Sequence, residues 1–241
     1  MTLALNGAED GTVVAAESQS AGRGRLARTW FSPPGLNLYC SIIVRGLGRR
    51  LSLADWLSWV PLTTALAAAE AVQGVAAISL ALKWPNDLLL GERKVGGILC
   101  ESSLTIPADP VVVIGIGLNV NVPGELFPDE LRPIATSLFE ASHQLIDRNR
   151  LLAQLLLELE QGLDELRDQG PPRLLQAYQR RCTTLGQQVR VILGAGEELL
   201  GTAVAITADG TLQVRPSTGT AGTDRAPLVD VRAGDVIHVR S

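Results

Sequence analysis

Lysine occurs only at Lys83 and Lys94, although lysine and arginine together number 21. Where the identity of a cation was free, this sequence took arginine. Both lysines fall in one short segment, KWPNDLLLGERK, which suggests that a compact, strongly hydrated ammonium is needed there rather than a planar guanidinium. Histidine is as scarce, at His143 and His238 only, so nucleophilic catalysis through a Ser–His or Cys–His pair has few candidates. The three cysteines, Cys40, Cys100 and Cys182, are far apart and odd in number. They fit neither a metal site nor a disulfide framework and read as reduced, buried thiols of a cytoplasmic protein. No signal-peptide pattern opens the chain. Its most apolar stretch, 63–82, is broken by Glu70, Gln73 and Gly74, which predicts a buried helix and strand rather than a membrane span. A net charge of −4, a pI near 5.3 and 4 % aromatic residues argue against nucleic-acid binding.

Against that acidic background the run GRGRLARTW carries Arg23, Arg25 and Arg28, and from Ser18 to Ala54 there are six arginines and no Asp or Glu. A positive patch inside a negative protein points to a specific anion. Glycines let backbone amides approach a phosphate, and arginine forks match oxygen anions. The spacing is neither a P-loop nor a dinucleotide fingerprint, so an exposed basic turn and a phosphate site both stay open. In KWPND, Lys83, Trp84, Pro85, Asn86 and Asp87 set a cation, a ring, a bend, an amide and a carboxylate side by side. Lys94-Val95-Gly96-Gly97 follows, and paired glycines within a strand mark a close approach. Gly115-Ile116-Gly117-Leu118-Asn119 ends an apolar run in a polar amide; a buried glycine-bearing strand explains it as well as nucleotide recognition does.

The pattern predicts strands at 12–18 and 36–45, joined by a Gly/Pro/Ser/Arg-rich loop long enough to be functional. A helix capped at Ser52 ends near Gly74. Extended segments at 78–90 and 94–102 form a hairpin around Gly91, and 111–121 is a further strand. Asp147 or Asn149 caps a long helix ending at Gly170, and Pro171-Pro172 opens another through Cys182. From about Leu185 the texture becomes short strands separated by turns such as 208–210 and 233–235. The expected fold is α+β: a mixed or antiparallel sheet with helices on one face over 1–185, and a small β-barrel over 186–241.

GRGRLARTWFSPPGLNLYCS, KWPNDLLLGERKVGGILCES and VVIGIGLNVN, in this order, resemble the biotin–protein ligase family. The resemblance implies a class II synthetase-like catalytic domain and an SH3-like C-terminal barrel. It implies ATP, biotin and Mg²⁺ as ligands, biotinyl-5′-AMP as the intermediate, and a lysine of a biotin carboxyl carrier domain as acceptor. Lys94 and Arg25 would act at the reacting carboxylate and phosphate, Lys83 would face phosphate, and Asp87 is open between a base or orienter and a structural turn residue. Gln19, Gly22, Arg23, Gly24, Arg28, Trp30, Asn86, Gly96, Gly97, Ile98, Gly117 and Asn119 would contact biotin or nucleotide. Two departures stand out. Ala27 takes the place of an expected glycine. The family's upstream strand and Ser-Thr-Asn segment are not matched by the opening MTLALNGAEDG, which resembles the tail of the helix that follows them. A start assigned too late, a trimmed chain or an impaired variant are the readings left open, and weakened biotin affinity is expected of the chain as given. The expected form is the ligase without an N-terminal helix-turn-helix. A lipoate–protein ligase and a non-catalytic biotin sensor are the alternatives, and a homodimer is left open.

Overall fold

The computed structural model describes residues 1–46, 52–103, 110–193, 197–217, 227–232 and 234–239. Arg49 and Arg50 of the arginine-bearing segment, and Ala233 of the last turn, lie outside them. The N-terminal part is a six-stranded sheet in the order β1-β2-β6-β5-β4-β3. Its strands are β1 (Val13–Ala16), β2 (Leu38–Val44), β3 (Ala81–Lys83), β4 (Asp87–Leu90), β5 (Arg93–Ser103) and β6 (Val111–Leu118). Every neighbouring pair is antiparallel, so of the mixed and antiparallel expectations the second holds. Short reversals at Pro85-Asn86 and at Gly91, the latter with φ of 60°, make this possible.

Alternation along the strands assigns the two faces. Leu38, Cys40, Ile42 and Val44 of β2, and Val112, Ile114, Ile116 and Leu118 of β6, point into the main core. Three helices cover that face. The Ser52 hydroxyl accepts the Asp55 amide and caps α2 (Leu53–Ala76), which runs past Gly74 and stops only where Ala77 turns left-handed. The Asp147 carboxylate caps α4 (Arg148–Asp168), accepting from the Asn149 and Arg150 amides. Leu151, Leu155, Leu159 and Leu163 form its buried stripe. Pro172 opens α5 (Pro172–Arg181). Short α1 (Thr2–Leu5) and α3 (Leu138–Ser142) complete the helices of the described residues.

The C-terminal sheet has five strands in the order β10-β9-β8-β7-β11: β7 (Gln188–Ile192), β8 (Glu198–Ile206), β9 (Leu212–Pro216), β10 (Val229–Val231) and β11 (Asp235–His238). Its inward side chains, Val189, Val191, Leu212, Val214, Val231 and Val236, join the same apolar cluster as α2 and the first sheet. The Trp59 indole N–H donates to Ala208 O at 2.8 Å, and that of Trp84 to Gly210 O at 3.1 Å. The β8–β9 turn is thereby fastened to α2 and to the WPND turn. Both indoles are almost wholly buried, so each donor needs that carbonyl.

Candidate active site

The face of the first sheet turned away from α2 forms a floor. Register places Gly97 opposite Gly117 and Leu99 opposite Gly115, with Ser41 beyond Gly115 on β2. Three glycines on one face leave a hollow where side chains would otherwise stand. The GRGRLARTW segment crosses above it as a tight strap: Trp30 N–H donates to Gly22 O at 2.9 Å, and Gly24 N–H to Arg28 O at 2.7 Å. At the tip, Arg25–Ala27 makes one 3-10 turn with Leu26 left-handed at φ 54°. The strain thus falls on Leu26, beside the position where a glycine was expected. Gly22 is required sterically, since a Cβ there would lie 2.7 Å from Trp30 O.

Strap and floor enclose a cavity of about 320 Å³, walled also by Phe127, Leu131, Ile134 and Ala135 and by Asp235 of β11. The Trp30 ring lies on the glycine floor, and a Cβ on Gly117 would come within 2.7 Å of its Cε2. Its Nε1 is closed from solvent and has no hydrogen-bond partner among the described residues. The Lys94 ammonium sits 5.5 Å from the Trp30 ring centroid and 2.5 Å from Asp87 Oδ1. A Cβ on Gly97 would approach Lys94 Cε to 3.1 Å, so the bare floor makes room for the lysine too.

Arg25 bridges two parts of the chain, donating to Asn86 Oδ1 and to Gly234 O, each at 2.9 Å. Burial pulls its pKa down, opposed by the fields of Asp235 and Asp87; an arginine stays charged regardless. Arg28 forms an ion pair with Asp235, and Arg23 one with Glu101 at 3.0 Å. Asn86 Nδ2 donates to Ile98 O at 3.0 Å, which pins the WPND turn to β5. Burial also lowers the pKa of Lys83, while Asp87 and Asp235 oppose the shift. Cys40 sits under the floor with its side chain in the core, where burial pushes its thiol up to about 12 and removes it as a nucleophile at neutral pH.

Of the residues singled out in the sequence, Gln19, Arg23, Gly24, Arg25, Arg28, Trp30, Asn86, Asp87, Lys94, Gly97, Ile98, Gly117 and Asn119 line this cavity. Three do not. Gly96 faces the core, where a Cβ would meet Leu88 and Leu118 at 2.9 Å; of the glycine pair only Gly97 reaches the floor. Gly22, at the root of the strap, is buried beside Gln19 and Ser32. Lys83 stands opposite Asp87 in the hairpin, beside the cavity but outside its wall. Asn119 lines the wall with its amide already engaged: Nδ2 donates to Thr136 O at 3.0 Å and Oδ1 accepts from Asn37 at 3.3 Å.

Sequence reasoning missed Glu101, Asp235 and the 127–135 wall. Glu101 was findable by counting alternate positions along β5 from Gly97. The 233–235 turn was read only as punctuation, and the apolar wall carries no motif.

Residues 2–121 match the biotin/lipoate A/B protein ligase family, and residues 184–239 the biotin protein ligase C terminal domain. The biotin–acetyl-CoA-carboxylase ligase of Mycobacterium tuberculosis is 38 % identical over 98 % of this chain and 83 % of its own length. That of Paracoccus denitrificans is 34 % identical over 92 % of this chain and 90 % of its own. The biotin protein ligase of Aquifex aeolicus, solved in complex with biotin and ATP, superposes with a TM-score of 0.79 at 28 % identity, covering 97 % of this chain and 91 % of that one. With its strap, glycine floor and fastened C-terminal sheet, the chain belongs to the biotin protein ligase family.

Proposed function

We propose that this protein attaches biotin to a lysine of a biotin carboxyl carrier domain, at the expense of ATP. An oxygen of the biotin carboxylate attacks the α-phosphate, the bond to the β,γ-phosphates breaks, and pyrophosphate leaves with the electron pair. The resulting biotinyl-5′-AMP is then attacked at its acyl carbon by the acceptor amine. An amide forms, AMP departs, and the amine loses its proton.

The first step brings two anions together, so catalysis rests on fixed positive charge where the transition state gathers negative charge. In this reading Lys94 bridges the carboxylate and the α-phosphate, steadied by Asp87 on one side and the Trp30 ring on the other. Arg23, Arg25 and Arg28 serve the phosphates and the carboxylate, and Lys83 adds a field from behind the hairpin. Asp87 acts as the orienter of Lys94, because the ammonium already occupies its Oδ1. Gly97, Gly117, the Ile98 backbone and Gln19 give biotin its bed, while Trp30, Asn86 and Asn119 border the nucleotide. The strap keeps water from the mixed anhydride. The catalytic unit is taken as 1–185 and the barrel as 186–241.

Among the described residues no group of three or more His, Cys, Asp or Glu side chains is placed to hold a metal. The cavity's three carboxylates are each paired with a cation. In this reading Mg²⁺ enters with the triphosphate, as part of the substrate. No helix among the described residues is long and apolar enough to cross a membrane.

The observation that supports this reading most is the convergence of Lys94 with three strap arginines on one glycine-floored cavity. Incubating a carrier domain with the protein, biotin and ATP tests it by mass spectrometry. The expected result is a gain of one biotin on one lysine; no gain, or lipoate taken in preference, refutes it.

A further inference from the structure

Three of the cavity's four cations have a carboxylate apiece: Lys94 has Asp87, Arg28 has Asp235, and Arg23 has Glu101, while Arg25 is held by Asn86 Oδ1 and Gly234 O. These three acids sit on three different elements, β4, β11 and β5, and all three line the cavity. Without them four like charges would face one small hollow. Their cost is that an arriving anion must displace them.

The pairs are not equivalent. Asp87 stands behind Lys94, and Asp235 holds the strap to the C-terminal sheet. Glu101 lies on the floor itself, four residues along β5 from Gly97 on the same face, and among the described residues its carboxylate engages Arg23. That pair is open, with side-chain exposures of 66 % for Arg23 and 35 % for Glu101. An ion pair so solvated is worth about two- to fivefold in an equilibrium constant, so it cannot lock the strap. It is weak enough for a ligand oxygen to replace.

We propose that Glu101 is an internal counter-ion of the cavity, a positioning residue that holds the Arg23 fork across the floor until a biotin or ATP oxygen takes its place. The inference rests on the functional reading above. It also bears on selectivity. A lone small anion trades one oxygen partner for another at Arg23 and gains little there. Biotin or ATP brings further contacts along the floor, which make the trade favourable.

Glu101→Gln keeps the side chain's shape and removes the charge. Isothermal titration of biotin and of ATP, separately, is the test, with Glu160→Gln on the outer face of α4 as a charge-matched control. At low salt at least one of the two ligands binds about two- to fivefold more tightly to Glu101→Gln than to the unaltered protein. The gain shrinks as salt is raised, because screening weakens the carboxylate's hold on Arg23 in the unaltered protein. Adenosine, which brings no anion, binds both alike, and Glu101→Asp returns the affinities toward those of the unaltered protein. The ligand-free Glu101→Gln protein melts about 2 °C lower, since the cations have lost a partner. If both ligands bind equally or more weakly, or if the gain persists at high salt, the counter-ion role is overturned while the functional reading stands. If the unaltered protein binds neither biotin nor ATP, both fall together.

Discussion

At the scale of single residues, the site depends on what is small as much as on what is charged. Gly117→Ala puts a methyl group where the Trp30 indole lies, within 2.7 Å of Cε2. Either the ring or the strand must shift, and Lys94 loses its aromatic neighbour. We expect biotin-dependent ATP–pyrophosphate exchange to fall at least tenfold with little change in melting temperature; an unchanged rate would show that the floor need not be bare. Lys94→Arg keeps the charge but not the shape, and a guanidinium cannot fit between Asp87, Trp30 and Gly97 as the ammonium does. Exchange should drop about a hundred- to a thousandfold, the loss typical of one preorganised donor. The convergence of Lys94 and the strap arginines on one cavity was legible in the sequence, because both stand out there by residue type and spacing. The choice between Gly96 and Gly97 was not, because alternation names a face only once the neighbouring strands are known. Ala27 is accommodated in place of the expected glycine because the left-handed residue is one position earlier, at Leu26.

At the scale of elements, caps and turns were readable because their signals are local. The Ser52 hydroxyl and the Asp147 carboxylate each accept a backbone N–H that would otherwise be orphaned. Asp147→Ala should cost about 1 kcal/mol, which corresponds to a fall in melting temperature of roughly 2–4 °C in a chain of this size, measurable by circular dichroism. Burial of the cysteines on β2 and β5 gives a prediction about pH. The thiols of Cys40 and Cys100 are held protonated up to about 12 in the fold, against a reference of 9.0. Their contribution to stability is therefore complete below pH 9. It declines as pH climbs from 9 toward 12, where the unfolded chain sheds protons that the folded one retains. Alkylation at pH 8 followed by mass spectrometry should leave Cys40 unmodified in the native protein; its rapid modification would contradict its enclosure. Where elements meet, the sequence was silent. Arg28 and Asp235 pair across 207 residues, and no local pattern encodes such a meeting.

At the scale of the whole molecule, the two sheets share one apolar interior, and Trp59 and Trp84 each donate across the seam between them. A barrel merely tethered to a catalytic domain would melt by itself. Here the intact protein should show one calorimetric transition, coincident with the loss of near-ultraviolet dichroism; two separated transitions would mean that the seam is weak. The sequence announced both sheets through strand content, but it could not announce their union, which depends on carbonyls at Ala208 and Gly210 lying opposite two indoles.

Tryptophan placement has a practical consequence. Trp56, Trp59 and Trp84 are sealed in the interior, while Trp30 alone borders the cavity. Changes in emission when biotin or ATP arrives should therefore come from one chromophore, and Trp30→Phe would leave a spectrum blind to ligand. The protein carries its own optical gauge at the cavity proposed for the chemistry.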